Sequence, residues 1–241
     1  MEFNNIRLFL DLDMYTYGVY KYIVWNYTKI PHVILFGQTG SGKTYLLKMI
    51  LARIGLYVKD SEIIICDYKS DQDFSFLTDC KNFFRFHDCM GGLNCLKKIL
   101  EERQTGQSTE KHFVLWVFDE WASFINSLDK KAAEQAKQDL AMVLMLGRSF
   151  NIHILISQQR CDSSYFSTAR DNFGLIIGLG LLSKESIQMM FNDYKEEIYQ
   201  IGKIGTGWAL NGNELYKVLV PKISNIDKIH NNIISAVNRF A

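Results

Sequence analysis

The sequence predicts an α/β fold, a mostly parallel sheet with helices on both faces. Three observations predict it. Five short apolar runs alternate with helix-period segments, a glycine-rich turn of fixed spacing joins the first run to the first helix, and a later run ends in two adjacent carboxylates.

In chain order, residues 15–27 carry aromatic and β-branched side chains around Gly18, which reads as a strand or hairpin. Residues 1–30 are therefore expected as an N-terminal extension packed on the core. Within it, Tyr15, Tyr17, Tyr20, Tyr22 and Trp25 read either as hairpin packing or as a stacking surface for a base or a partner. The first apolar run, 32–36, opens a main body expected over 31–223. Further strands are expected at 62–66, 113–118, 153–157 and 175–179, because these runs are short, continuous and rich in Ile, Val and Phe.

Between the strands lie helical patterns. Over 43–54, Leu46, Leu47, Ile50, Leu51 and Ile54 share one face, and Gly55 reads as the stop. Leu93, Leu96, Ile99 and Leu100 mark a second helix. A third is expected over 129–146, with Ala133, Ala136, Leu140, Val143 and Leu144 inward and Gly147 as its cap. Near the C-terminus, 206–210 and 214–220 flank Asn211-Gly212-Asn213, a hairpin turn. Residues 224–241 follow as an amphipathic helix with Ile226, Ile229, Ile233, Ile234 and Val237 at helical spacing.

The turn after the first strand is Gly37-Gln38-Thr39-Gly40-Ser41-Gly42-Lys43-Thr44, which fits the G-x-x-x-x-G-K-[ST] phosphate loop at every fixed position. Its glycines let backbone N–H groups curl around a phosphate, and the helix that follows points its positive end at the same oxygens. Lys43 supplies a point charge to the β- and γ-phosphates of ATP, and Thr44 is placed to ligate Mg²⁺. With Tyr45, these residues form the expected nucleotide-binding set. The run 113–118 ends in Asp119-Glu120. The first acid suits the hydrated metal and the second suits polarising the attacking water, which points to a P-loop ATPase of the additional-strand, catalytic-glutamate class.

Composition bounds the rest. The chain has 241 residues, 48% hydrophobic and 22% charged, with 27 Lys plus Arg against 26 Asp plus Glu, a net charge of +1. Such a chain is expected to fold around a real core, and contact with a polyanion must come from a local patch or a ring of copies. Five cysteines without a C-x-x-C pair read as reduced thiols, with no zinc site. Arg7, Asp11 and Asp13 interrupt the apolar N-terminus, and the longest apolar run is far short of the roughly 20 residues that span a bilayer. A soluble, cytoplasmic protein is expected, with any membrane recruitment left to a partner.

Downstream lies Gly147-Arg148-Ser149-Phe150-Asn151-Ile152-His153, continuing to Gln158-Gln159-Arg160. Together with Pro31-His32 ahead of the phosphate loop, it resembles the motor domain of FtsK/SpoIIIE-type DNA translocases in the HerA–FtsK group. Their typical stretches read P-H-L-L-x-x-G-x-T-G-S-G-K-[ST] and G-R-A-x-G-I-H-L-I-L-A-T-Q-R-P. Asp67-Tyr68-Lys69 also resembles the D-P-K of that family. The resemblance covers roughly residues 18 to 220. It implies a RecA-like core assembled as a hexamer around double-stranded DNA, with Arg148 as a trans-acting arginine finger and Gln159 as the γ-phosphate sensor. The bland alternative for Arg148 is an ordinary cation at a helix C-terminus, and Gln158 competes with Gln159, which the spacing from Ile152-His153 favours. Cys161, Tyr68 and Asn151 depart from the family pattern, and loosen the tie to chromosome-segregating members more than the tie to the fold.

The implied protein is a bare ATP-driven motor, of the kind a mobile element, plasmid or phage would carry. A relaxase, a replication protein or a secretion-channel protein is the expected partner class. The rival readings are a DNA-transfer or packaging coupling ATPase and a nucleotide-dependent scaffold. Candidate DNA contacts are Lys130, Lys131, Arg160 and Arg170, each of which also reads as solvated surface.

Overall fold

A computed structural model describes residues 4–240, apart from the side chains of Ser163, Ser167 and Thr168. Residues 1–3 and 241, at the outer ends of the expected N-terminal extension and C-terminal helix, lie outside the described residues. The chain opens with β1 (Asn5–Asp11), α1 (Leu12–Thr16) and β2 (Tyr22–Asn26). The central elements are β3 (His32–Gly37), α2 (Lys43–Tyr57), β4 (Glu62–Asp67), β5 (Phe83–Arg85), α3 (Cys89–Gln104), β6 (Val114–Asp119), α4 (Trp121–Ser127) and α5 (Lys130–Leu146). Then come β7 (Ile152–Gln158), β8 (Leu175–Leu179), α6 (Lys184–Met190), the hairpin β9 (Thr206–Asn211) and β10 (Glu214–Leu219), and α7 (Ile226–Val237).

All these strands join one sheet in the order β2-β1-β10-β9-β8-β3-β7-β6-β4-β5. The six strands from β8 to β5 run parallel, and the other four are added antiparallel. β7 lies between the strand that leads into the phosphate loop and the strand that ends in the two acids, which is the additional strand of a RecA-like ATPase core. Its insertion follows from composition, since every residue of β3, β6 and β7 is buried and apolar surface must be covered on both faces. One core, with Leu46, Ile50 and Ile233, lies under α2 and α7. The other, with Trp116, Leu140 and Leu93, lies under α3, α4 and α5.

Several expectations change in detail. The segment expected as a strand or hairpin from residue 15 begins as a short helix, and its strand partner is β1, whose Ile6, Leu8 and Leu10 are buried. Gly55 does not stop the helix at 54, because α2 continues to Tyr57. A Cβ at Gly55 would lie 2.7 Å from the Asn232 carbonyl oxygen and 2.8 Å from the Ala236 methyl, so the glycine is there to let α7 pack close. The α2 terminus is capped instead from the residues just past α7: Arg239 donates to the carbonyls of Gly55 and Val58, both at 2.9 Å, and to Ser61 Oγ at 2.8 Å. Gly147 caps α5 as expected, its N–H donating to the Val143 carbonyl, but in right-handed geometry that opens a 3-10 turn over Gly147–Phe150, and the left-handed residue is Asn151, with φ of 54°.

The 211–213 turn forms as expected, with Asn211 opposite Glu214. All five cysteines are free. Among the described residues no helix is long and apolar enough to cross a membrane.

Candidate nucleotide site

The phosphate loop leaves β3 at Gly37 and enters α2 at Lys43. Gly40 and Gly42 sit at φ of 80° and 100°, a region that side-chain-bearing residues rarely adopt, and Gly42 is the N-cap of α2. The first turn of α2 therefore presents free N–H groups to the loop interior, the arrangement that binds a phosphate. The Lys43 ammonium is buried and donates to the carbonyls of Gly37 at 2.6 Å and Gln38 at 3.2 Å. Burial lowers its pKa, against the pull of the Glu120 and Asp119 carboxylates.

Those carboxylates arrive from the tip of β6, across β7 from the loop strand. Asp119 ends β6 opposite Asp67 of β4. Burial pushes the Asp119 carboxyl up to about 7, and the nearby Glu120 and Asp67 carboxylates add to the rise. Glu120 follows in left-handed geometry, φ 66° and ψ 48°, a strained conformation for a glutamate that turns its side chain back toward the phosphate loop. Its N–H donates to Ser157 of β7 at 2.7 Å, which ties the acid to the additional strand. Burial also raises the Glu120 carboxyl, against Lys43 and the hydrogen bonds donated by the Gln159 side chain and backbone.

An open cleft of about 270 Å³ brings together Thr39, Gly40, Gly42, Lys43, Thr44, Tyr45, Asp119, Glu120 and Gln159 from the expected set. Gly37 lies beneath as the end of β3, and Ser41 is buried with its carbonyl accepting from Gly205 N–H at 2.9 Å. Gln38 is exposed and touches the site through its carbonyl. Of the two candidate glutamines, Gln158 is fully buried and donates toward the Cys161 sulfur at 3.6 Å, whereas Gln159 is exposed at the cleft.

Arg148 is elsewhere. After α4, α5 runs 17 residues, about 25 Å at 1.5 Å per residue, back to the N-terminal end of β7, whose other end carries Gln158. Arg148 stands exposed beyond the far end of α5, without a side-chain hydrogen bond or ion pair among the described residues. Arg160 lines a second cleft that shares Glu120 and Gln159 with the first. Arg170 lies in a further groove and pairs with Asp171 at 3.2 Å. Lys130 and Lys131 are exposed at the start of α5 and line neither cleft. Lys69 and Asp73 line the nucleotide cleft although they were outside the expected site; the Asp67-Tyr68-Lys69 stretch was the signal that pointed there.

Residues 4–210 match the model of the FtsK/SpoIIIE family. A curated relative, "Ftsk domain-containing protein YdcQ" of Bacillus subtilis (strain 168), is 30% identical over 224 residues, covering 84% of this chain and 46% of that protein. The chain thus spans about half the length of this curated relative. Among solved structures, EssC (ATPases 2 and 3) from Geobacillus thermodenitrificans superposes with a TM-score of 0.74 at 13% identity, over 98% of this chain and 48% of that one. The pCW3 conjugation coupling protein TcpA, in its monomer form with ATPγS, gives 0.74 at 16% identity, over 97% and 70%. The genome packaging NTPase B204 from Sulfolobus turreted icosahedral virus 2, in complex with ATPγS, gives 0.52 at 16%, over 79% and 98%. These structures share the fold of this chain.

Proposed function

The chain belongs to the FtsK/SpoIIIE family, and on that premise we propose that it is an ATP-hydrolysing ring motor that translocates double-stranded DNA. The observation that carries the reading is that Glu120 and Gln159, set on adjacent strand tips, line one cleft with Lys43 and Thr44 at the mouth of the phosphate loop. In this reading Lys43 leaves its loop carbonyls for the β- and γ-phosphates. Glu120 polarises the attacking water, and Gln159 couples that acid to the presence of the γ-phosphate.

Thr44 and Asp119 fit Mg²⁺, since a hydroxyl and a carboxylate are hard oxygen donors and the upshifted Asp119 is an anion short of a counter-charge. Bound there with the nucleotide, Mg²⁺ would neutralise phosphate charge. The cleft has no arginine in its lining, and Arg148 lies a helix length from it, so Arg148 serves the ATP of the next copy in a homo-hexamer. Lys130, Lys131, Arg160 and Arg170 are the proposed DNA-facing cations, and a ring multiplies each of them around a pore. We place the motor in the cytoplasm, drawn to a membrane only by a partner.

The ATPase rate with and without linear duplex DNA, across salt concentrations, tests this. A rate raised by DNA and falling with salt supports it; an assembled ring indifferent to duplex DNA contradicts it. A second reading, a coupling ATPase that feeds DNA to a conjugation channel or capsid, is favoured by the fold shared with TcpA and B204, and recovery of a relaxase or portal protein in a pull-down would select it. A scaffold that only binds ATP would keep its activity in Glu120→Gln.

A further inference from the structure

The Asp67-Tyr68-Lys69 turn at the tip of β4 has no part in the mechanism above, yet it is firmly built. Asp67 is buried, and its Oδ1 accepts from Ser70 N–H at 2.9 Å, with Ser70 at a left-handed φ of 54°. From β5, Arg85 Nη2 donates to the carbonyls of Ser70 at 2.8 Å and Asp71 at 2.9 Å, while its Nε faces Asp67 Oδ2 at 3.9 Å. Two strands therefore clamp the turn. What the clamp presents is Lys69, whose side chain lines the cleft with Lys43, Thr44, Asp119 and Glu120. The Lys69 ammonium is ion-paired to Asp71, with the two side chains 47% and 31% exposed. An exposed pair of this kind contributes about 0–1 kcal/mol, so its cation is readily given up to a more highly charged anion.

We propose that Lys69 is a second phosphate-binding lysine, paired with Asp71 in the nucleotide-free chain and transferred to the terminal phosphate of a bound nucleoside triphosphate. Asp67 and Arg85 are its positioning residues. The proposal rests on the reading of the cleft as an ATP site and deepens it. Lys43 sits within the loop that cradles any nucleotide phosphate. Lys69 lines the cleft on the side of the two acids, opposite the loop, so it is placed to meet a third phosphate extending from the loop and to distinguish triphosphate from diphosphate. A lysine that merely stapled its own turn would make Lys69→Met and Asp71→Asn change binding in the same direction; a lysine shared between Asp71 and phosphate makes them change it in opposite directions.

The test is binding of a fluorescent non-hydrolysable ATP analogue and of the matching ADP analogue to the full chain. Lys69→Met should weaken triphosphate binding about tenfold, a loss on the scale of one charge-assisted contact, and leave diphosphate binding within about twofold. Lys69→Arg should restore most of the loss, and Asp71→Asn should tighten triphosphate binding. Equal weakening of both nucleotides by Lys69→Met, or weakening by Asp71→Asn, overturns the proposal. Wild-type protein that binds neither nucleotide overturns the ATP reading along with it, whereas Lys69→Met that binds like an active wild type overturns this proposal alone.

Discussion

Replacing Asp119 by Asn should stabilise the nucleotide-free protein and at the same time abolish hydrolysis. The carboxyl is buried at the tip of β6 among Glu120 and Asp67, and its pKa stands at about 7 against 3.8 for the free group. The folded-state value is the higher one, so the proton stabilises the fold fully below about pH 4, and that contribution is lost as pH rises toward 7. At about 1.36 kcal/mol per unit, carrying the charge at pH 8 costs the folded chain about 4 kcal/mol. Asn keeps the shape without the charge. For a chain of this length, where 1 kcal/mol moves the melting temperature by about 2–4 °C, the gain is on the order of 10 °C. At pH 5 wild type holds the proton in the fold, and the advantage shrinks to about 2 kcal/mol. Thermal unfolding of both proteins in EDTA, without nucleotide, at pH 5 and pH 8 reads this directly. A variant no more stable than wild type at pH 8, or an advantage equal at the two pH values, refutes the reasoning.

Other consequences follow from the packing. Arg239→Ala removes the donors that cap the end of α2 and should cost about 2–3 kcal/mol in urea unfolding; a loss below about 0.5 kcal/mol contradicts the cap. Gly55→Ala pushes a methyl into the α7 backbone and should cost about 1–3 kcal/mol, although alanine is the better helix former, so a stabilised variant would show that α7 does not pack there. Burial lowers His32 to about 4 and His153 to about 3, so both stay neutral in the fold while the unfolded chain takes up protons below about pH 6.5. Stability should fall by about 1.5 kcal/mol per histidine between pH 6.5 and 5. Because Glu120 and Asp67 carry an opposing slope, the fall is read as a difference: in the Asp119→Asn background, urea midpoints of the protein with His153 should drop more between pH 6.5 and 5 than those of the same protein with His153→Gln, and equal drops refute it.

The segments of the proposed ATP site are legible because they are local. The phosphate loop sits between an apolar strand and an amphipathic helix, and the acid pair ends a fully buried strand; these signals need no tertiary context. Gly55 misleads for the opposite reason. It looks like a helix stop in one dimension but answers to Asn232 and Ala236 more than 170 residues away, whereas Gly147 caps α5 as its position predicts and leaves the left-handed turn to Asn151. β1 carries Ile6, Leu8 and Leu10 at a period of two, but Phe9 between them is buried as well, which breaks the alternation that marks a half-buried strand. The sequence could not rank Gln158 against Gln159 with certainty, since the choice depends on which one faces out where β7 ends. The Asp67-Tyr68-Lys69 stretch marks the turn, but its place in the cleft depends on β5, a three-residue strand with no periodic signal that brings Arg85 onto it.

The central claim is that ATP bound to one copy is hydrolysed with help from another. Arg148→Ala and Lys43→Ala should each be inactive alone, the first lacking the cation it gives a neighbour and the second lacking its own phosphate lysine. Mixed in equal amounts with linear duplex DNA, intact phosphate loops meet intact arginines at some interfaces, and the ATPase rate should recover to a substantial fraction of wild type. A mixture no more active than its components contradicts hydrolysis in trans.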